Sequence, residues 1–254
     1  MPSFNVVNYS LRPNKSIQRS LVFEGVRLLQ KELHLEKLMY IGFGSIWFTD
    51  FQMAHKLLGV EDMISIEADP VGFRRALFNQ PFKTVRVING YSHDVFPSLL
   101  SDPNLACRPW LVWLDYDHAL NEAIVEDVQT IIEKAPPNSI LLVTIDAKGS
   151  GYGRPVERPK RLKGLLGSVV PDELDRRDCA DGKLWSTIAE LTWKFMVSVR
   201  LRFRDRGDFY RRFASSTGTG HRWLRLAVFS RPRAGFPQLR HLSVILCGQE
   251  RWPN

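Results

Sequence analysis

The chain has 254 residues, 44% of them hydrophobic and 24% charged, which is enough to form one large globular domain with a substantial core. No apolar run approaches the roughly 18 residues of a membrane span, and the first residues lack the pattern of a signal peptide. The net charge of +8 is uneven: residues 151–254 hold 21 Lys and Arg against 10 Asp and Glu, whereas residues 1–150 carry a net charge of −3. This asymmetry predicts an anionic partner for the second half.

The three cysteines, Cys107, Cys179 and Cys247, are isolated in the sequence and lack metal-ligand spacing. Unpaired thiols of this kind are typical of a reducing compartment, so we expect a cytoplasmic protein without a membrane anchor. No metal site is predicted from them.

Residues 1–36 are predicted to form an extended arm followed by an amphipathic helix, with Pro13 in the first helical turn. Arg12, Lys15 and Arg19 fall roughly on one face of that helix. Charges in this arrangement either form a solvated face or bring the N-terminal arm over the mouth of a ligand site. The sequence leaves both interpretations open.

A short apolar run at residues 38–41 ends in Gly42-Phe43-Gly44, and a helix-compatible segment follows. This pattern predicts a buried parallel strand that enters a tight turn and a helix. Glycine lacks a Cβ atom, so a ligand can lie against the backbone, and the N–H groups that open the helix attract anionic groups. The third glycine of the dinucleotide-binding fingerprint is absent, because Trp47 occupies the aligned position.

The next predicted strand, residues 63–67, ends in Glu67, which lies 23 residues after Gly44. This is near the spacing at which an acidic side chain meets the hydroxyls of a ribose. Glu67 is therefore either a solvated strand end or, together with the glycine turn, part of a site for an adenosine-type cofactor.

Strands and helices alternate along the first 145 residues. The predicted strands are residues 38–41, 63–67, 85–88, 110–114 and 140–145. Between them, helices are predicted at residues 51–58, 71–78 and 121–135, and a short turn or helix at residues 92–100. Such alternation requires right-handed crossovers and predicts a parallel sheet with helices on both faces.

The second half of the chain differs in character. Residues 148–163 are rich in glycine, proline and basic residues without apolar periodicity, which predicts a lid or substrate loop. A long amphipathic helix is expected at residues 183–203, followed by an antiparallel hairpin of residues 209–215 and 223–229. We therefore divide the chain into an arm and helix at 1–36, a main domain at 37–231 that contains the lid-like insertion, and a tail at 232–254.

This order of elements predicts an α/β fold of the Rossmann-like class I methyltransferase type, in which parallel strands are closed by an antiparallel C-terminal hairpin and helices cover both faces. Enzymes of this class use S-adenosylmethionine (SAM). The chain resembles the class over about residues 38–230 and, more closely, a bacterial family of "putative O-methyltransferases". The closer likeness rests on five motifs: YSLRPNKSI at 9–17, YIGFGS at 40–45 with Asp50 and Phe51 after it, ISIE at 64–67, FNQPF at 78–82 and WLDYD at 113–117.

The resemblance implies a binding site for SAM. The cofactor-binding residues that it implies are Gly42, Phe43, Gly44, Ser45, Asp50, Glu67, Gly90, Tyr91, Ser92 and Asp115. The glycine turn would border the methionine part, Glu67 would hold the ribose hydroxyls, and residues 90–92 would lie near the adenine. Two positions depart from the usual motif, since Tyr40 replaces an acidic residue and Ile46 a glycine, so the cofactor amine is expected to meet Asp50 or Asp115 instead.

Further side chains are assigned to the substrate side. Tyr9, Arg12 and Lys15 are expected to contact the substrate or to close over it. The rings of Tyr9, Phe43 and Phe48 are candidates to flank the positive sulfonium, although Phe48 also fits simple core packing.

Methyl transfer from a sulfonium is an in-line displacement, for which the protein positions the acceptor and removes its proton. Asp115 and Asp117 alternate along an extended segment and are expected to face the same way, as a catalytic base or as ligands of a divalent ion. Asp117 is alternatively a cap of the following helix. His93 and His118 follow the third and fourth strands, where each is either a base or a surface histidine.

The sequence thus predicts a SAM-dependent methyltransferase that methylates an oxygen of an unidentified, anionic acceptor. The alternative is a nucleic-acid-binding or nucleic-acid-modifying protein with this fold, with or without catalysis, and a nicotinamide enzyme or a silent scaffold also remains open. Six arginines supply positive charge for an anionic partner: Arg200, Arg202, Arg204, Arg206, Arg211 and Arg212. The aromatic residues of this region fall at core-like periods and not between these arginines, which favours a small acceptor over a polymer.

Overall fold

The structure is a computed structural model, and it describes the backbone of residues 13–44, 46–201, 213–217, 222–228 and 245–246, with side chains for 15–44 and 46–200. The helices are α1 (Pro13–Glu32), α2 (Thr49–Leu58), α3 (Pro70–Phe78), α4 (Ser92–Ser101), α5 (Pro103–Ala106), α6 (Glu122–Lys134), α7 (Arg158–Leu166) and α8 (Asp181–Leu201). The strands are β1 (Met39–Gly42), β2 (Met63–Glu67), β3 (Val85–Asn89), β4 (Trp110–Asp115), β5 (Ile140–Asp146), β6 (Phe213–Thr217), β7 (Arg222–Val228) and β8 (Ile245–Leu246).

The strands form one sheet in the order β3-β2-β1-β4-β5-β7-β6-β8. The first five strands are mutually parallel, as their alternation with helices predicted. β7 then pairs antiparallel with both β5 and β6, and β6 pairs parallel with β8. The order reverses between β1 and β4, which is where ligands bind in open parallel sheets.

The sheet separates two apolar clusters. Successive strand residues point to opposite faces, so Met39 and Ile41 join one cluster while Tyr40 joins the other. Helices α1 to α3 cover the face of Tyr40, and α4 together with α6 to α8 covers the opposite face. β4 contributes to both faces, which explains why its sequence is a continuous apolar run from Trp110 to Leu114.

Local capping explains where two of the helices begin. The Asn121 side chain accepts a hydrogen bond of 3.0 Å from the Ile124 backbone N–H at the start of α6, and Asp69 accepts one of 2.6 Å from Gly72 at the start of α3. The alternative that Asp117 caps the helix after β4 is therefore wrong. Within the described residues, no helix combines the length and apolar character that crossing a membrane requires.

The prediction of an irregular loop at residues 148–163 is wrong for much of that segment. A 3₁₀ turn occupies Gly149–Tyr152, and α7 begins at Arg158, with Tyr152, Arg158 and Leu162 buried. The Arg158 guanidinium donates to the Cys179 carbonyl at 2.7 Å and pairs with Asp181 at 2.7 Å. Most of α7 is polar, so its short apolar stripe is too weak to detect in the sequence; whether the segment acts as a lid stays a prediction.

Some predictions fall outside the described residues. These include Tyr9 and Arg12 in the N-terminal arm, Ser45 in the glycine turn, residues 209–212 of the predicted hairpin, and nearly all of the tail at 232–254. Of the six clustered arginines, Arg200 lies within the described part, where it is 6% exposed on α8.

Candidate functional site

The five parallel strands end at the same edge of the sheet, and polar side chains occupy four of those ends. Gly42 ends β1, Glu67 ends β2, Asn89 ends β3, Asp115 ends β4 and Asp146 ends β5. The structure therefore brings the predicted residues of three separate motifs to one edge. In parallel sheets this edge is the usual place for a ligand.

Helix α1 contributes a buried cation to this edge. The Lys15 ammonium lies 2.9 Å from Oδ2 and 3.1 Å from Oδ1 of Asp115, and the two side chains are 6% and 18% exposed. An ion pair so far from water is held by short, charge-assisted hydrogen bonds. The N-terminal helix is thus fixed to the end of β4.

A second ion pair lies one helical turn further along α1. Arg19 donates through Nε to Asp50, in the first turn of α2, and the side chains are 7% and 13% exposed. The interpretation of Lys15 and Arg19 as a solvated face is therefore wrong. We call Lys15, Arg19, Asp50 and Asp115 the charged cluster.

Tyr40 lies beside the charged cluster, on the buried side of β1. Burial raises the pKa of its hydroxyl well above the usual range, and the negative charges of Asp50 and Asp115 add to this rise. Burial also raises the pKa of Asp50, although the Arg19 guanidinium opposes the shift. The residue that replaces the usual acid of the motif is thus a neutral phenol at neutral pH.

The two glycines of the turn, Gly42 at the end of β1 and Gly44 after it, make room for side chains of the protein itself. A Cβ atom on Gly42 would lie 2.9 Å from the Tyr40 hydroxyl, and one on Gly44 would lie 2.9 Å from Cε1 of Phe48 and closer still to the Ser65 hydroxyl. Internal packing therefore favours glycine at both positions. Packing is thus a second reason for these glycines, beside the sequence-based expectation that a ligand lies against their backbone.

We expect Gly44→Ala to lower the free energy of unfolding by about 1–3 kcal/mol, because the new methyl group overlaps the Ser65 hydroxyl and the Phe48 ring. Urea denaturation measures the change. Gly164→Ala in α7 is the control, since its Cβ atom meets nothing within 4 Å and the substitution is expected to stabilise the helix by about 0.5–1 kcal/mol. Equal stability of the Gly44 variant and the wild type would contradict the packing argument.

Glu67, at the end of β2, is half-buried and accepts a hydrogen bond of 2.9 Å from the Asp69 backbone N–H. Burial raises the pKa of its carboxyl; the Asp69 N–H opposes this, and the negative charges of Asp69 and Asp117 add to it. Asp117 is exposed and acts on Glu67, whereas Asp115 pairs with Lys15. Asp115, the last residue of β4, and Asp117, two residues further on, thus meet different partners.

The loop after β3 presents an aromatic surface. Gly90 has a φ of 153°, which favours glycine, and its N–H donates to the Glu67 carbonyl at 3.1 Å. The next residue, Tyr91, is 61% exposed and stacks on His93 with ring centroids 5.4 Å apart and planes inclined by 15°. Ser92 is buried and donates to Asp127.

The aromatic residues predicted near the sulfonium differ in burial. Phe48 is 1% exposed in the core beneath α1 and α2, as the packing alternative stated. Phe43 is half-buried and meets the Tyr116 ring edge-on, with centroids 5.1 Å apart. His118 is exposed, and no group of acidic, His or Cys side chains among the described residues could hold a metal ion.

Sequence reasoning missed Asp127. It lies on the buried face of α6, three residues after Ile124 and four before Ile131, where an apolar residue is expected. A carboxylate at an apolar position of an amphipathic helix is a visible signal, because acidic residues are almost never fully buried unless they have partners.

Two solved structures with a similar backbone are O-methyltransferases of low sequence identity to this chain. An O-methyltransferase from Bacillus cereus in complex with SAH is 13% identical, with a TM-score of 0.50 over 89% of this chain and 85% of that chain. The O-methyltransferase TomG from Streptomyces achromogenes, involved in tomaymycin synthesis and in complex with SAM, is 15% identical, with a TM-score of 0.49 over 84% and 79%. No curated protein sequence matches this chain.

The fold is thus the α/β, Rossmann-like fold of methyltransferases, with parallel strands covered by helices. The sequence model of the family described as "Putative O-methyltransferase" matches residues 7–214, so the chain belongs to that family. The family resemblance predicted from the five motifs is confirmed.

Proposed function

We propose that the protein transfers a methyl group from SAM to an oxygen of an acceptor bound at the carboxyl edge of β1, β2 and β4. The observation that supports this most is the charged cluster beside the glycine turn, at the same edge of the sheet as Glu67. The antiparallel β7, which follows the parallel strands in the sheet, supports a class I assignment. The O-methyltransferase from Bacillus cereus, solved in complex with SAH, supports the same cofactor here.

The donor set fits the amino-acid end of SAM. That end carries one ammonium and one carboxylate, and the charged cluster offers two carboxylates and two cations in a partly dehydrated place. We propose that Asp50 and Asp115 attract the ammonium, and that Lys15 and Arg19 attract the carboxylate. A neutral Tyr40 hydroxyl adds a hydrogen-bonding group without changing this charge balance.

The other end of the edge fits an adenosine. The Glu67 carboxylate has a lone pair for each of two ribose hydroxyls, and the exposed Tyr91 ring offers a flat surface to an adenine. The proposed cofactor residues are accordingly Gly42, Phe43, Gly44, Ser45, Asp50, Glu67, Gly90, Tyr91, Ser92 and Asp115.

When bound, SAM would supply an electrophilic methyl group. We propose that Asp115 orients the reacting groups through its contact with Lys15, and that the exposed Asp117 takes the proton of the acceptor hydroxyl. α1 excludes water from the charged cluster, and Tyr9, Arg12 and Lys15 are proposed to extend this cover over the substrate.

We propose an anionic acceptor. Lys148 follows β5 at the same edge of the sheet, and Lys160 and Arg161 are exposed on the neighbouring α7. Nucleic acid is the alternative acceptor or partner, supported by the net charge of the second half. A cytoplasmic location is proposed because Cys107 and Cys179 are both free thiols.

Calorimetric titration with SAM, SAH and NAD tests the proposed function. We expect SAM and SAH to bind at least about tenfold more tightly than NAD, because the charged cluster matches an amino acid and offers no dedicated phosphate site. Tighter binding of NAD would overturn the proposal. Titration of labelled polynucleotides at two salt concentrations separates the acceptor classes, since only a polymer shows a steep loss of affinity with salt.

A further inference from the structure

Two loops of the proposed site meet at one buried carboxyl oxygen. Ser92, in the first turn of α4, and Tyr116, directly after β4, both donate their hydroxyl groups to Oδ2 of Asp127. Asp127 lies on α6 and is 1% exposed. Its partners are 35 and 11 residues away in sequence, so the contact joins separate parts of the chain.

The environment of Asp127 is costly for a carboxyl group. Oδ1 is buried and has no hydrogen-bond partner within the part of the chain that the structure describes. Burial raises the pKa of the Asp127 carboxyl, and the hydrogen bonds from Ser92 and Tyr116 partly offset this rise. Burial also raises the pKa of the Tyr116 hydroxyl, which therefore stays protonated. An apolar residue would fill this position on α6 without that cost, so packing alone does not explain the aspartate.

The two donors reach the proposed site from different sides. Ser92 directly follows Tyr91, whose exposed ring is assigned to the adenine. Tyr116 stands between Asp115 and Asp117, and its ring contacts Phe43 in the glycine turn. Asp127 therefore connects the loops after β3 and β4 directly, and the loop after β1 through one ring contact.

We infer that Asp127 is a positioning residue, which fixes the loop at 115–118 relative to the loop at 90–93 by binding one hydroxyl from each. The expected effect of Asp127 on cofactor affinity rests on the proposed function. The coupling of the two loops through Asp127 does not depend on that function. Because both hydrogen bonds share Oδ2, loss of either donor changes how the other is held.

Hydrogen–deuterium exchange of the free protein tests the coupling. Tyr116→Phe removes a hydroxyl from the loop at 115–118. We expect faster amide exchange in that loop and also at residues 90–94, on the other side of Asp127. Ser92→Ala is expected to produce the reciprocal effect at residues 115–118. Changes confined to the loop that carries each substitution would overturn the inference.

Titration of Asp127 variants with SAH tests the consequence. Asp127→Leu replaces both carboxyl oxygens by methyl groups of similar shape, and we expect SAH to bind about tenfold more weakly. Asp127→Asn keeps an acceptor for both hydroxyls and is expected to restore affinity to within about threefold of the wild type. Equal losses in the two variants, or no loss in Asp127→Leu, would contradict a positioning role.

A matched control separates positioning from general destabilisation. Ile131→Val removes one methyl group from the same buried face of α6 and keeps both hydrogen bonds to Asp127, so its affinity for SAH is expected to equal that of the wild type. If the wild type itself fails to bind SAH, the proposed function fails, while reciprocal exchange effects still support the coupling. If Asp127→Leu does not fold, the exchange of the two single-hydroxyl variants decides the inference.

Discussion

Glu67→Ala is expected to weaken the binding of SAH by about 10- to 100-fold, because hydrogen bonds to a charged group contribute about 1.5–3 kcal/mol. The carboxylate is half-buried at the end of β2, and its Oε1 atom is already oriented by the Asp69 backbone N–H. This orientation lowers the entropic cost of holding two ribose hydroxyls. Calorimetric titration with SAH measures the change.

Glu61→Ala is the matched control for this experiment. Glu61 is an exposed carboxylate just before β2 begins, so it lies at the opposite edge of the sheet from Glu67. Its removal is expected to leave the affinity for SAH unchanged. Unaltered binding by Glu67→Ala would show that this carboxylate is a solvated strand end, the other interpretation of the sequence.

Lys15→Met is expected to lower the free energy of unfolding by about 3 kcal/mol, because it leaves the Asp115 carboxylate without its ammonium in a place largely shielded from water. Asp115→Asn is expected to lower the free energy of unfolding by a similar amount, because the Lys15 ammonium then loses its carboxylate partner. The double variant should lose clearly less than the sum of the two single losses, because no ion is left without its partner. Urea denaturation of the three variants measures the coupling.

Helix α1 offers its own control for this cycle. Glu24 and Arg27 form an ion pair on the exposed side of the same helix, with side chains 54% and 51% exposed. Water screens this pair, so Arg27→Ala is expected to leave stability unchanged. Strictly additive effects of Lys15→Met and Asp115→Asn would show that the buried pair contributes no coupling.

The parallel half of the fold was predictable because its signals are local. β2 has the predicted bounds, and the observed β1 and β4 differ from the predicted runs by one residue. Buried strands flanked by Gly, Asn or Asp are unambiguous when they recur with amphipathic helices between them. α7 escaped prediction because most of its residues are polar and because the partners of its buried Arg158, Cys179 and Asp181, lie some 20 residues further along the chain.

The candidate site was predictable in position and not in its contacts. Strand ends carry Gly42, Glu67 and Asp115 to one edge, and this follows from topology alone. The pairing of cations with carboxylates depends on how α1 lies across the sheet. The helical pattern of α1 in the sequence carries no information about its orientation. The same limit applies to Asp127, whose position on α6 is visible in the sequence while its two donors are not.

The pairing of Lys15 with Asp115 also bears on how the molecule assembles during its synthesis. The two residues are 100 positions apart, so on a ribosome the cation emerges well before its partner exists. Until β4 leaves the exit tunnel, the Lys15 ammonium has no Asp115 carboxylate to pair with, whereas Asp50, the partner of Arg19, has already been synthesised. The Lys15–Asp115 pair is therefore a late contact, which forms only after the central strand β4 has been synthesised.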